Sequence, residues 1–106
     1  MAARPLARRL RRLPLATVAG REVPVATGPR ARLLGLAGLD RSRAGAGLLI
    51  PRCASVHTFG MRFPLDLVFL DERSRAISVR RGVRPGRIAR ERGAAAVLEL
   101  PVLSKI

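Results

Sequence analysis

Tryptophan and tyrosine are absent from this chain, and cysteine and histidine each occur once. Without large amphipathic aromatics the core must be filled by Leu, Val and Ile, with three Phe as its bulkiest pieces. One cysteine excludes an internal disulfide and a multi-thiolate zinc site, so nothing covalent staples the fold. No apolar run approaches the roughly 18–20 residues that span a bilayer. Nor is there an apolar leader followed by a small-residue cleavage site. These features predict a protein that is not transmembrane, in a reducing cytoplasm. Acids are scarce too: seven stand against 21 bases, for a net charge of +14.

What is abundant is Arg, Ala, Leu, Gly and Pro, and every base except Lys105 is Arg. Arg4, Arg8, Arg9, Arg11 and Arg12 crowd the amino-terminal stretch, where the first acid is Glu22. Arg80, Arg81, Arg84, Arg87, Arg90 and Arg92 form a second cluster, relieved by Glu91. Such fields attract nucleic acid, phosphorylated ligands and anionic membrane surfaces without naming any of them. The plainer expectation is a solvated face. At 106 residues, the chain has room for one small core.

Leu6, Leu10 and Leu13 recur at helical spacing with arginines between them, and Pro14 ends the pattern. Residues 1–14 are therefore expected to be a basic arm, frayed because so short a helix is marginal in water. Residues 15–106 are expected to form a single mainly-β domain. Leu15–Ala19 and Val23–Ala26 read as a hairpin about Gly20-Arg21-Glu22. Thr27-Gly28-Pro29 opens a short helix limited by Gly35 and Gly38. Gly47–Ile50, Leu65–Leu70, Ala76–Arg81 and Ala94–Leu100 read as strands, Leu65–Leu70 being apolar on both faces and so covered on both. Together they predict a small sandwich or partly open barrel with one short helix.

Nearly all the distinctive chemistry lies in Cys53–Asp71, which holds the cysteine, the histidine, every Phe and the second Met. Drawn out as a strand, His57, Phe59, Met61 and Phe63 share one face and Arg62 takes the other. Pro64 cannot donate to a ladder and marks a bend. Asp66, in an apolar run, needs a partner; Arg62 across the bend is the nearest cation.

The motif Val56-His-Thr-Phe-Gly-Met-Arg-Phe-Pro-Leu-Asp66, continued by Val68-Phe-Leu-Asp71, resembles the signature of the domain of unknown function 192 family. Arg30–Leu36, the Cys53 position, Arg84-Pro-Gly-Arg87 and Val97-Leu-Glu-Leu100 resemble its flanking elements, extending the likeness over about residues 23–100. Two departures stand out. Gly86 replaces a frequent aromatic, and Pro101–Ile106 does not resemble the family's closing glycine-containing segment, which points to an exposed sheet edge. The resemblance implies a small, mainly-β sandwich or barrel and no activity.

The site expected from these residues is a concavity that binds a small anionic molecule or peptide. His57, Met61, Arg62 and Asp66 would line it, Arg62 reading the anion, with Phe59, Phe63, Pro64 and Asp71 in support. Two other readings stay open. Cys53, His57 and Asp66 could act as nucleophile, base and orienting group, although no oxyanion hole is identifiable and a buried structural thiol is the plainer role. The arginine clusters could hold nucleic acid or a membrane surface. The balance is against an enzyme. No P-loop, dinucleotide fingerprint or metal-ligand pair is present, so no cofactor and no metal are expected.

Overall fold

The computed structural model describes residues 6–102. A four-residue helix α1 (Arg8–Arg11) leads into a hairpin of β1 (Leu15–Val18) and β2 (Arg21–Pro24). Helix α2 (Pro29–Leu34) and a 3-10 turn at Arg41–Arg43 precede β3 (Leu48–Pro51). Then follow β4 (Ser55–His57), β5 (Leu65–Leu70), β6 (Ala76–Val83), β7 (Ile88–Arg90) and β8 (Ala96–Pro101). The protein is thus mainly β, with an open central sheet and no closed barrel among the described residues. No helix among the described residues is long and apolar enough to cross a membrane.

The central sheet is antiparallel in the order β3-β8-β5-β6, flanked by the two-stranded pairs β1-β2 and β4-β7. Alternation along β5 and β8 sorts their side chains onto two faces. Leu65, Leu67, Phe69 and Val97 join Leu48, Ile50, Leu36 and Leu10 in the larger core. Val68, Leu70, Leu98 and Leu100 face the other way and pack with Val18 and Val23 of the hairpin. A sheet covered on both faces is what an unbroken apolar run such as Leu65–Leu70 requires.

At the exposed edge, β6 carries Arg80 and Arg81, charges that discourage pairing with another strand. It also holds an extra residue against β5: Leu65 pairs with Val83 but Leu67 with Arg80. Gly82 sits in this bulge with φ 61°, a conformation that costs glycine nothing. The Gly82 N–H left out of the ladder donates to Asp66 Oδ1 at 2.8 Å.

That contact corrects the expected Asp66–Arg62 pair. Asp66 meets Gly82, with Arg81 3.9 Å from its second oxygen, whereas Arg62 bonds Asp40 at 2.9 Å. The bulge supplies a backbone donor beside the carboxylate, so Asp66 needs no partner from across the Pro64 bend.

The single face expected for His57, Phe59, Met61 and Phe63 also fails. Extended structure ends at His57, and within β4 it is Val56 that points inward. Thr58 turns the chain. Its hydroxyl donates to the Arg84 carbonyl (2.7 Å) and accepts the Arg87 N–H (2.8 Å), while its carbonyl accepts the Gly86 N–H (3.0 Å). Gly60, at φ 79°, completes the reversal. Phe59 is left outside, and Met61 and Phe63 enter the core.

The described part of the amino-terminal stretch is tied to the domain. Leu10 is 1 % exposed within the larger core, and the Ala7 N–H donates to the Arg43 carbonyl. Residues 1–5 and 103–106, the ends of the expected arm and domain, lie outside the described residues.

Candidate functional site

Glu99 is the most anomalous side chain in the structure. Its parity in β8 matches Val97, so it points into the larger core. Its register partners are Leu48 on β3 and Leu67 on β5, both fully buried. The residue is 2 % exposed, and burial pushes its carboxyl up to about 7 against a Leu36 N–H bond that pulls it down. Oε1 has no hydrogen-bond partner among the described residues.

From within that core Glu99 also borders a void. It lies at a cavity of about 250 Å³ between the end of α2 and the sheet, bordered also by His57, Cys53, Ser55, Ile50 and Arg32. Gly35 makes the space: a Cβ there would stand 2.7 Å from Glu99 Oε1, and its φ of 52° suits glycine.

The last carbonyls of a helix have no partner within it, and here side chains supply one. His57 contacts the Leu33 carbonyl through Nε2 at 3.1 Å, and the Phe59 N–H donates to Nδ1 at 3.2 Å. The neutral imidazole therefore carries its proton on Nε2, given to Leu33. Arg9 donates to the Gly35 and Ala37 carbonyls just beyond α2. Arg32 donates to the carbonyls of Pro51 and Arg52. His57 thus fixes one side of the cavity as a rigid wall.

An apolar rim surrounds that wall. Phe59 stacks on the His57 ring with centroids 5.4 Å apart, and Ile88 is the register partner of His57 on β7. Leu33 borders the cavity itself. These three are 51 %, 61 % and 67 % exposed respectively, an unusual grouping of large apolar side chains in water.

Of the residues expected at a site, His57 and Cys53 border this cavity and Phe59 stands at its rim. Met61 and Phe63 are core, and Arg62 is outside with Asp40. Asp66 is at the β5–β6 bulge, Pro64 accepts the Val102 N–H, and Asp71 closes the turn before β6. Asp71 Oδ1 accepts the N–H groups of Arg73 and Arg75, and the Arg75 bond foremost holds its carboxyl below the usual range.

The Cys53 thiol donates to the Ser55 carbonyl at 3.1 Å, so Cys53, His57 and Asp66 are not joined by hydrogen bonds to one another. No three His, Cys, Asp or Glu side chains cluster as metal ligands among the described residues. Glu99 escaped the sequence reading, although its signal is the one that singled out Asp66: an acid inside an apolar run, Ala96-Val-Leu-Glu-Leu100.

Comparisons with known proteins bear on the fold. The family model DUF192, described as Uncharacterized ACR, matches residues 15–102. No curated protein matches. A solved structure of a protein of unknown function from Novosphingobium aromaticivorans DSM 12444 is similar, with a TM-score of 0.59 and 20 % identity. The match covers 74 % of this chain and 61 % of that one, so this chain spans less than two thirds of its neighbour's length.

Proposed function

Because the chain belongs to the uncharacterised DUF192 family, which carries a fold and no assigned activity, we propose from its own geometry that it is a small-ligand-binding module. The site is the Glu99 cavity. A bound molecule offers an N–H or O–H donor to Glu99 Oε1 and lays an apolar body against Leu33, Phe59 and Ile88. The observation that carries this reading is the unpartnered Oε1 of a buried carboxyl bordering an open cavity. A buried acceptor without a donor costs about 1–3 kcal/mol, and a ligand donor recovers that cost. Such a pocket, mostly apolar with a few convergent polar groups, is the usual form of a small-molecule site. Arg62, engaged by Asp40, is left out of it.

The test screens small amides, amines and alcohols bearing an apolar group by thermal shift, on wild type and Glu99→Met. The same compounds are tested for protection of Cys53, which borders the cavity, from iodoacetamide. Expected are compounds that raise the melting temperature and slow alkylation in wild type but not in Glu99→Met. Compounds that act equally on both proteins, or a screen in which none protects Cys53, would overturn the reading.

A further inference from the structure

A second cavity, of about 310 Å³, lies on the other side of the end of α2. Leu34 and Gly35 border both cavities and separate them. Glu99 does not border the second one; instead Arg9 and Arg30 face it, over walls formed by Leu10, Leu13, Leu34 and Leu48. No carboxylate is among the lining side chains.

Two guanidiniums at one apolar cavity without an acid are electrostatically frustrated. The Arg9 guanidinium is held below its usual range first by burial and then by the charge of Arg30. Arg9 is fixed by one nitrogen, Nη2, on the Gly35 and Ala37 carbonyls. Among the described residues, its Nη1 and Nε donors and the Arg30 guanidinium make no hydrogen bond or ion pair. Guanidinium is the side chain best suited to a carboxylate or phosphate, and an anion between the two would reverse their repulsion. The net charge of +14 steers anions towards the molecule. An inorganic anion would satisfy the arginines and leave the apolar walls uncovered.

We propose that this cavity binds a single-chain amphiphile with an anionic head. The carboxylate or phosphate lies between Arg9 and Arg30, and the alkyl chain lies among Leu10, Leu13, Leu34 and Leu48. The volume is at the lower end of the roughly 300–1,000 Å³ typical of small-molecule sites, so a chain of medium length is the fitting probe. This site is independent of Glu99 and stands or falls apart from the module proposed above.

The test is calorimetric titration of the full chain with octanoate, octyl phosphate, octylamine, octan-1-ol and acetate, each below its aggregation concentration. Octanoate or octyl phosphate should bind at least tenfold more tightly than the amine, the alcohol and acetate. A stronger octanoate signal identifies a fatty-acid-type head, and a stronger octyl phosphate signal a phospholipid-type head. Arg30→Gln, at an exposed position where folding is not at stake, should weaken the preferred anion at least tenfold. It should leave any binding in the Glu99 cavity unchanged. Octanol binding as tightly as the anions would mean a merely apolar cavity, and acetate binding as tightly would mean a bare electrostatic field. Either result, an unchanged Arg30→Gln, or failure of both anionic probes to bind overturns the proposal.

Discussion

Moving a carboxylate out of water disfavours its charged form, and at Glu99 one backbone N–H offsets only part of that cost. Its folded value, about 7, stands above the ordinary 4.5, so the folded protein binds this proton more tightly than the unfolded chain does. The associated stability is fully present below about pH 4.5 and is lost as pH rises through 7. Between pH 5 and pH 8 urea unfolding should therefore show a loss of about 2–3 kcal/mol from this group. Glu99→Gln should flatten that slope, and an unchanged slope in the variant would assign the effect elsewhere. Asp71, whose value is lowered, acts at more acid pH.

Gly35 is the counterpart of Glu99. Gly38 shares its positive φ, at 77°, but has nothing within 4 Å of a Cβ, whereas a Cβ on Gly35 meets Oε1 at 2.7 Å. Gly35→Ala should therefore destabilise by more than Gly38→Ala, which carries only the conformational cost of about 1–2 kcal/mol. Equal losses in chemical denaturation would show that the carboxyl moves aside without cost.

At the scale of elements, Thr58 joins β4 to the turn before β7. Its buried hydroxyl satisfies Arg84 O and Arg87 N–H together. Thr58→Val keeps the shape and leaves both backbone groups unpaired, for an expected loss of about 2–4 kcal/mol. Amide exchange should accelerate at Arg87, and Thr58→Ser should restore most of both properties. β5 was legible from the sequence at its observed bounds because an unbroken apolar run has few uses other than a covered strand. α2 was legible from Gly28-Pro29 and Gly35. The turn at Thr58 was not, because Thr is a good strand residue and strict alternation through Phe63 looks like a continuing strand. What ends the strand is a set of bonds to residues 84–87, nearly thirty positions away. β7 was missed for the same reason, since Ile88–Arg90 becomes a strand only by pairing with β4. Of the residues around the Glu99 cavity, the sequence had singled out His57 and Cys53 at its border and Phe59 at its rim. Arg62 depended on a bend whose geometry no local pattern encodes, and Glu99, though an acid inside an apolar run, acquires its buried surroundings only through its register partners on β3 and β5.

For the molecule as a whole, charge imbalance is a property of the fold as well as of the composition. Four ion pairs are formed among the described residues, Arg62–Asp40, Arg75–Asp71, Arg80–Glu91 and Arg81–Asp66, each with a well-exposed arginine. Exposed pairs contribute about 0–1 kcal/mol each, and salt weakens them. Carboxylates are too few to neutralise the arginines, because 21 bases share seven acids and one of those acids is the buried Glu99. Their mutual repulsion is confined to a body with a radius of gyration of 12.7 Å, comparable to the screening length of about 10 Å at 0.1 M salt. Compaction therefore raises the repulsion, and added salt relieves it more in the folded state than in the expanded chain. The melting temperature should accordingly rise by several degrees between about 0.02 M and 0.3 M sodium chloride. The rise should be smaller in a variant with Arg81, Arg84 and Arg87 replaced by Gln, which dilutes the second arginine cluster. A fall in melting temperature over that range would mean that the four pairs outweigh the repulsion. The arginine field would then be locally compensated, and its pull on distant anions correspondingly weak.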